Sequence, residues 1–361
     1  MKSKKTLALI FFLLLVSSIQ AKSDISSWFS HSGDFRYRYQ LADTDKDNDP
    51  QRVQNRVRLR YGIEAKVDKK TTIKAGLESG DNTPKNANTD LGDGFSSKSV
   101  YIDYAYSTVE THYGDWLIGK MHNPLYFVSD MMWDTDIRPE GVAFKYKNKD
   151  QNYDLTAGYF ILSEIANSNY DPNLIVLQAK KINYLKEDVK LKVLATIQSF
   201  DNLQGKNINY SALSNSGTIN NDGSIAYNYN PHIASLASKL VFKNFKNDKN
   251  LSVYAEYYNN TAVSEGNQAG LTGVTIGNYK LSERGNCQTF VNYRHIQKDG
   301  LVDILTDFDA FYGKTNIKGW ELGHRRALSK KSSFGLTFHQ LQELTTDEKY
   351  GLFQADYLVK F

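Results

Sequence analysis

The chain closes on Phe353-Gln354-Ala355-Asp356-Tyr357-Leu358-Val359-Lys360-Phe361. Its odd positions are apolar or aromatic, whereas Gln354, Asp356 and Lys360 occupy even ones. Side chains alternate across a strand with a period of two, so this segment reads as a strand with one apolar and one polar face. The pattern returns at the other end of the chain. Phe35, Tyr37, Tyr39 and Leu41 alternate with Asp34, Arg36, Arg38 and Gln40; Val57, Leu59, Tyr61, Ile63, Ala65 and Val67 alternate with Arg56, Arg58, Arg60, Glu64 and Lys66. In both segments the charges share one face.

Further alternating segments carry Ile73, Ala75 and Leu77; Val100, Ile102, Tyr104 and Tyr106; Trp116 and Ile118; Val142, Phe144 and Tyr146; and Tyr153 to Ile161. Strands at 174–183, 189–199, 228–243, 250–259, 270–281, 287–297, 314–328, 333–342 and 350–361 follow. The total is about sixteen; fourteen or eighteen stay open because parity is poorly defined at 174–183, 270–281 and 314–328. Long connections at 42–51, 80–97, 122–138, 163–172, 200–227, 260–269 and 298–313 alternate with short ones such as Asp68-Lys69-Lys70, Lys186-Glu187-Asp188 and Ser329-Lys330-Lys331. This is the plan of an all-β transmembrane antiparallel barrel with short periplasmic turns and longer external loops. A soluble β-sandwich uses the same alternation to bury its core, but it gives no reason for long and short connections to alternate.

Composition agrees. Lys2, Lys4 and Lys5 precede an apolar run from Leu7 to Val16, followed by Ser17, Ser18, Ile19, Gln20 and Ala21. That run is too short to span a bilayer and reads as a secretory leader cut after Ala21. A short periplasmic segment at 22–32 and a barrel at 33–361 complete the organisation. Beyond the leader no stretch of roughly 18 apolar residues exists, which excludes a helical membrane protein. Cys287 is the single cysteine, so no intramolecular disulfide can form. The formal charge of +4 falls to about +1 without the leader lysines, which gives no reason to expect a nucleic-acid partner.

Phe361, with Tyr357 and Val359 on its face, resembles the C-terminal strand of Gram-negative outer-membrane barrels. The resemblance implies that these three residues belong to the signal read by the barrel assembly machinery. A wider resemblance rests on ordered landmarks: Gly33-Asp34-Phe35-Arg36-Tyr37-Arg38-Tyr39, Arg56-Val57-Arg58-Leu59-Arg60, Gly119-Lys120-Met121 with Asn123-Pro124, and Trp133-Asp134 with Asp136, Pro139, Glu140 and Gly141. Over residues 33–146 the chain resembles the putative porin family of Gram-negative bacteria. What this implies is a pore in outer-membrane lipid, monomeric or homotrimeric, that passes small hydrophilic solutes or ions by passive diffusion.

Hairpin pairing across 42–51 brings Arg36 and Arg38 beside Arg56, Arg58 and Arg60, a basic patch on the lumen wall that would raise local anion concentration. The alternative is that these arginines pair with acids such as Glu64, Glu78 and Asp103 and stiffen the wall. In general porins the third external loop folds inward. By that analogy 122–138, with Met131, Met132, Trp133, Asp134, Asp136 and Arg138, is the candidate constriction, placing Asp134 and Asp136 opposite the arginines. Trp116, Ile118 and the aromatics of the last strand would face lipid or a sister subunit.

Other patterns are weaker. Asp43, Asp45, Asp47 and Asp49 alternate like calcium-loop ligands, but Asn48 stands where such a loop needs Gly and Gln54 where it needs Glu. His31, His112, His122, His232, His295, His324 and His339 lack metal-ligand spacing. No cofactor is implied. An enzyme would need a nucleophile and base together at the rim, where Ser163, Ser168, His295 and His339 are the available groups. A third reading is a structural or adhesive barrel plugged by its loops, with 200–227 as lid or binding surface.

Overall fold

A computed structural model of the chain describes residues 28–45, 50–166, 168–221 and 223–361. The leader expected at 1–21, and Asp47, Asn48 and Asp49 of the acidic turn, lie outside them. In chain order the strands are β1 (Phe29–Thr44), β2 (Arg52–Lys66), β3 (Thr71–Ser79), β4 (Thr89–Asp90), β5 (Val100–Thr111), β6 (Gly114–Lys120), β7 (Glu140–Asn148), β8 (Tyr153–Ile161), β9 (Asn173–Tyr184) and β10 (Val189–Asp201). They continue as β11 (Gly217–Ile219), β12 (Ile225–Tyr227), β13 (His232–Lys246), β14 (Lys249–Asn260), β15 (Gln268–Gly277), β16 (Cys287–Ile296), β17 (Ile317–Ala327), β18 (Ser332–Glu343) and β19 (Lys349–Lys360).

Sixteen of these form one antiparallel wall. The two-residue β4 pairs with β2 inside a long connection, and β11 and β12 form a separate hairpin inside another. The wall closes where β19 pairs with β1, Tyr37 opposite Tyr357 and Arg38 opposite Asp356. Phe361 and Gly33 exchange backbone hydrogen bonds of 3.0 and 3.1 Å at the seam. Closure leaves the sheet without an edge, which is what allows it to stand in hydrocarbon.

Alternation then sorts the side chains. Phe35, Leu59, Ile73, Trp116, Ile118, Leu177, Ile197, Leu236, Trp320, Phe338 and Tyr357 are exposed on the outside of the wall, while Arg38, Arg56, Gln178, Glu256, Arg294 and Gln354 are buried within it. An apolar outside around a polar inside is the inversion expected of a membrane barrel.

Several boundaries differ from the sequence reading. β1 begins at Phe29, because Phe29 to Ser32 pair with Ala65 to Gly62; the barrel therefore starts ahead of residue 33. The segments read at 228–243, 270–281 and 314–328 form strands at His232–Lys246, Gln268–Gly277 and Ile317–Ala327. Asn278 onward leaves the sheet because its side chain accepts from the Cys287 amide at 2.9 Å and ends the ladder. Tyr104 and Tyr106 do not continue the outward series of Ile102. The register of β3 with β5 shifts between Gly76 and Leu77, so Asp103 is the extra residue of a bulge and the following parity reverses. The Tyr104 ring turns inward over Gly62 and Gly76, where any Cβ would collide with it.

The short-turn end is tied by turns such as 67–70, 185–188 and 328–331, whose backbones close on themselves. At the other end the long connections fold over and into the barrel. Met131, Met132 and Trp133 of 121–139, Leu203 and Ile208 of 202–231, and Leu301, Val302 and Leu305 of 297–316 are buried together in one apolar cluster with wall residues Phe160, Leu174 and Phe200.

Candidate functional site in the lumen

The β1–β2 register sets Arg36 opposite Arg58 and Arg38 opposite Arg56, with Arg60 one step further along the same face. Five guanidinium groups on two strands repel one another unless carboxylates intervene, and here they do. Arg38 binds Asp356 at 2.7 Å and Asp309 at 3.0 Å. Arg56 binds Asp90 at 2.6 Å, and Arg58 binds Asp34 at 2.8 Å. Arg60 binds Glu78 at 3.4 Å and also donates to Asp136. Arg36 donates to the Asn88 amide at 2.6 Å and has no carboxylate partner among the described residues.

Of Glu64, Glu78 and Asp103, the acids named from sequence as wall partners, only Glu78 pairs with the ladder. Glu64 pairs with Lys74 on the neighbouring strand, and Asp103 pairs with Arg138 at 2.7 Å. The bulge at Asp103 is the reason for the second: it aims that carboxylate at the base of the 121–139 connection.

That connection lies across the barrel interior. Its Asp136 reaches Arg60 on β2, the Tyr126 amide donates to Gln178 on β9 at 2.8 Å, and Ser129 donates to Glu256 on β14. Asp134 does not face the arginines. Its carboxylate accepts from the backbone amides of Asp136 and Phe308, both at 2.8 Å, and so joins this connection to 297–316. Met131, Met132 and Trp133 supply the apolar underside, and Arg138 the hinge contact with Asp103.

Charge settles unevenly over the loop acids. Burial would raise Asp136, but Arg60, Arg58 and Arg36 outweigh it and hold the carboxyl well below the ordinary carboxylate range. Asp309 is likewise opposed by burial yet lowered to about 2 by Arg38, His339 and Arg36. Burial, then the neighbouring Asp136, raises Asp134 well above its usual value.

Sequence reasoning missed the second inward loop, 297–316, and the wall residue that holds it. Arg294 on β16 is buried and binds Glu321 at 2.7 Å and Asp307 at 2.9 Å, with Asp130 of 121–139 at 3.9 Å. One signal was available: Arg294 occupies the polar face of an alternating strand, as Arg58 does. Asp303 was equally hidden. It accepts from Ser211, Ser214 and Tyr227 of the 202–231 connection, while Lys85 donates to its backbone carbonyl at 2.7 Å.

Besides a space of about 570 Å³ among Trp133, Arg138, Tyr210 and Ile304, two more run toward the short-turn end. One of about 440 Å³ runs along the Arg ladder, bounded by Asp136, Asp309 and Lys85 and reaching Lys330 and Lys331 at the short-turn end. The other, about 410 Å³, lies against β10 and β13. They meet at Asp130, Glu321 and Arg325.

A family model described as "Putative porin" matches residues 23–229 and 223–361, essentially the whole barrel. The chain belongs to this family. Solved structures agree at the level of fold. OprB of Pseudomonas putida superposes with a TM-score of 0.63 at 10% identity, over 93% of this chain and 95% of that one. OmpT, an outer membrane protein of Vibrio cholerae in trimer form, gives 0.53 at 11% identity over 92% and 100%. A mutant of the Rh. blastica porin gives 0.52 at 12% identity over 92% and 100%. No curated protein sequence matches the chain. Family and fold together place it among outer-membrane porin channels.

Rim groups were candidates for catalysis. His295 is exposed on the outside of β16, whereas His339 is buried inside on β18, so the barrel wall separates them. Ser199 contacts His232 at 3.0 Å and Asp201 at 3.2 Å. In a hydrolytic triad the imidazole stands between hydroxyl and acid; here the hydroxyl stands between the other two.

Proposed function

We propose that the chain is a passive diffusion porin for small hydrophilic solutes, with 121–139 as its constriction and the Arg ladder as one wall of the eyelet. The observation that carries this is the loop's attachment to β2, β9 and β14, three separate parts of the wall, through Asp136, Tyr126 and Ser129. A loop fixed on three sides narrows the passage instead of swinging over it. Arg36 and Arg58 then line the 440 Å³ space beside the Arg38–Asp309 and Arg60–Asp136 pairs. Opposed charges in a confined, low-dielectric passage make a transverse field that orients dipolar solutes.

The anion preference expected of the ladder is tempered by its six carboxylate partners, which leave Arg36 as the member with no acid. Assembly signal and oligomer follow the same reading: Tyr357, Val359 and Phe361 for delivery to the outer membrane, and a homotrimer, supported by the trimer form in which OmpT was solved.

Swelling of proteoliposomes in sugars of graded size tests the function. Swelling that falls with solute size and does not saturate is the expected result. Liposomes containing folded barrel that admit none of the sugars would favour the plugged reading, which rests on the buried Asp303 network joining 202–231 to 297–316.

A further inference from the structure

We propose that the wall formed by β10 and β13 carries a binding subsite for a small dianion, held between Lys192 and Lys239 with Lys190 beside them. Lys192 and Lys239 are directly opposite in the β10–β13 register. Like charges in that position repel, whereas four members of the Arg ladder, Arg294 and Lys180 each have an acid beside them. The Arg ladder has six carboxylates, Arg294 has three acids within 4 Å, and Lys180 on the adjacent β9 is paired with Asp154.

Lys190, Lys192 and Lys239 break that practice. Among the described residues none of them makes an ion pair, and the contact recorded for Lys239 is with the Tyr254 ring, 4.9 Å from its ammonium. All three line the 410 Å³ space, together with Ser252 and Thr275 of the following strands β14 and β15; Gln288 and Asn292 line it too, with their amide nitrogens donating to Asn278 and Glu321. The acids of this space, Asp130 and Glu321, lie at its far edge against Arg294 and so are already engaged.

Neighbouring ammonium groups with the hydroxyls of Ser252 and Thr275 on the same wall, in a space large enough for an anion with part of its water, suit a ligand carrying two negative charges. Lysine is a compact point charge with three donors and places no planar demand on its partner. The chemistry shared by hydrogen phosphate and short dicarboxylates satisfies this equally. Bound between the lysines, such an anion would relieve a repulsion the empty wall has to carry, and would sit on the path between the constriction and the short-turn end.

The subsite rests on the porin reading for its role in flux, but its occupancy can be measured without flux. Refolded protein in a planar bilayer with potassium chloride is titrated with inorganic phosphate and, separately, with malonate. The expected result is block of the chloride current that requires about tenfold more of the dianion, or greater, in the K192Q/K239Q variant. K192R/K239R should restore block, and Lys186→Gln, in a turn outside the space, should leave it at the wild-type value. Phosphate alone active, or malonate alone active, identifies the preferred dianion. Equilibrium dialysis of labelled phosphate and malonate against the same proteins in detergent gives a readout independent of conduction. A barrel that conducts but shows the same block and the same dialysis isotherm with and without the two lysines overturns the subsite alone. Lysine-dependent dialysis in a barrel that passes no current keeps the subsite and removes the pore.

Discussion

Arg60 shows how single residues set the lumen. It is held by Glu78 from the neighbouring strand and by Asp136 from the loop, so the wall and the 121–139 connection share one cation. Replacing it with Gln removes the stronger partner of a buried carboxylate, at a cost of about 2 kcal/mol to loop docking. The expected outcome is a noisier and larger single-channel current from Arg60→Gln. The pH dependence follows from the same groups. Asp136 and Asp309 are depressed in the folded state, Asp309 to about 2. Their stabilisation is therefore complete above the free carboxylate value near 4 and is lost as pH falls through the folded value. Asp134 is shifted upward, so taking up a proton favours its docked state. Conductance should stay level from pH 7 to about pH 4 and rise only below it; a rise between pH 7 and pH 5 would show that other groups hold the loop. At this scale the sequence was informative about face and silent about partner. Alternation placed Arg36, Arg38, Arg56, Arg58 and Arg60 together, but Asp309 and Asp356 are about 300 positions away in the chain, and no local pattern links them to Arg38.

The inward loops are the elements that distinguish this barrel from an empty cylinder. Met131, Met132 and Trp133 are apolar residues in a connection, and their need for burial was legible; what they pack against was not. The answer includes Leu301, Val302 and Leu305 from a second connection whose own pattern, Leu301-Val302-Asp303-Ile304-Leu305, resembles a short strand but contributes to a core shared with 202–231 and the wall. Truncating Trp133 to Ala should cost about 3–5 kcal/mol of packing within that core. Because the wall closes without it, the loss should appear as proteolytic access to 121–139 while the heat-modifiable migration of the barrel persists. The bulge at Asp103 belongs to the same lesson. A one-residue shift reverses every following side chain, and nothing in Val100 to Tyr106 announces it except the two glycines on neighbouring strands that receive Tyr104.

For the whole molecule, the period-two pattern and the alternation of long and short connections pointed to a closed barrel of about sixteen strands, with fourteen and eighteen left open, because lipid requires an apolar outer face and tolerates no open sheet edge. Closure depends on β1 and β19, whose eleven register pairs run from Asp34 with Lys360 to Thr44 with Tyr350. Removing Phe361 deletes the outermost backbone exchange with Gly33 and the aromatic proposed to belong to the assembly signal. The truncated chain should reach the outer membrane at a small fraction of the normal amount, measured as heat-modifiable barrel in membrane fractions, while refolding in detergent is only modestly slowed. Equal amounts in both fractions would mean that the last residue serves the seam alone.

The measurement that bears most directly on the account is single-channel conductance of the refolded chain beside a variant lacking 128–136, in a planar bilayer under identical salt. Discrete open steps from the intact chain and larger steps from the deletion are the predicted result, since the deleted residues are those fixed across the lumen. A folded barrel whose conductance is the same with and without the segment, or absent in both, would contradict a pore constricted by that loop.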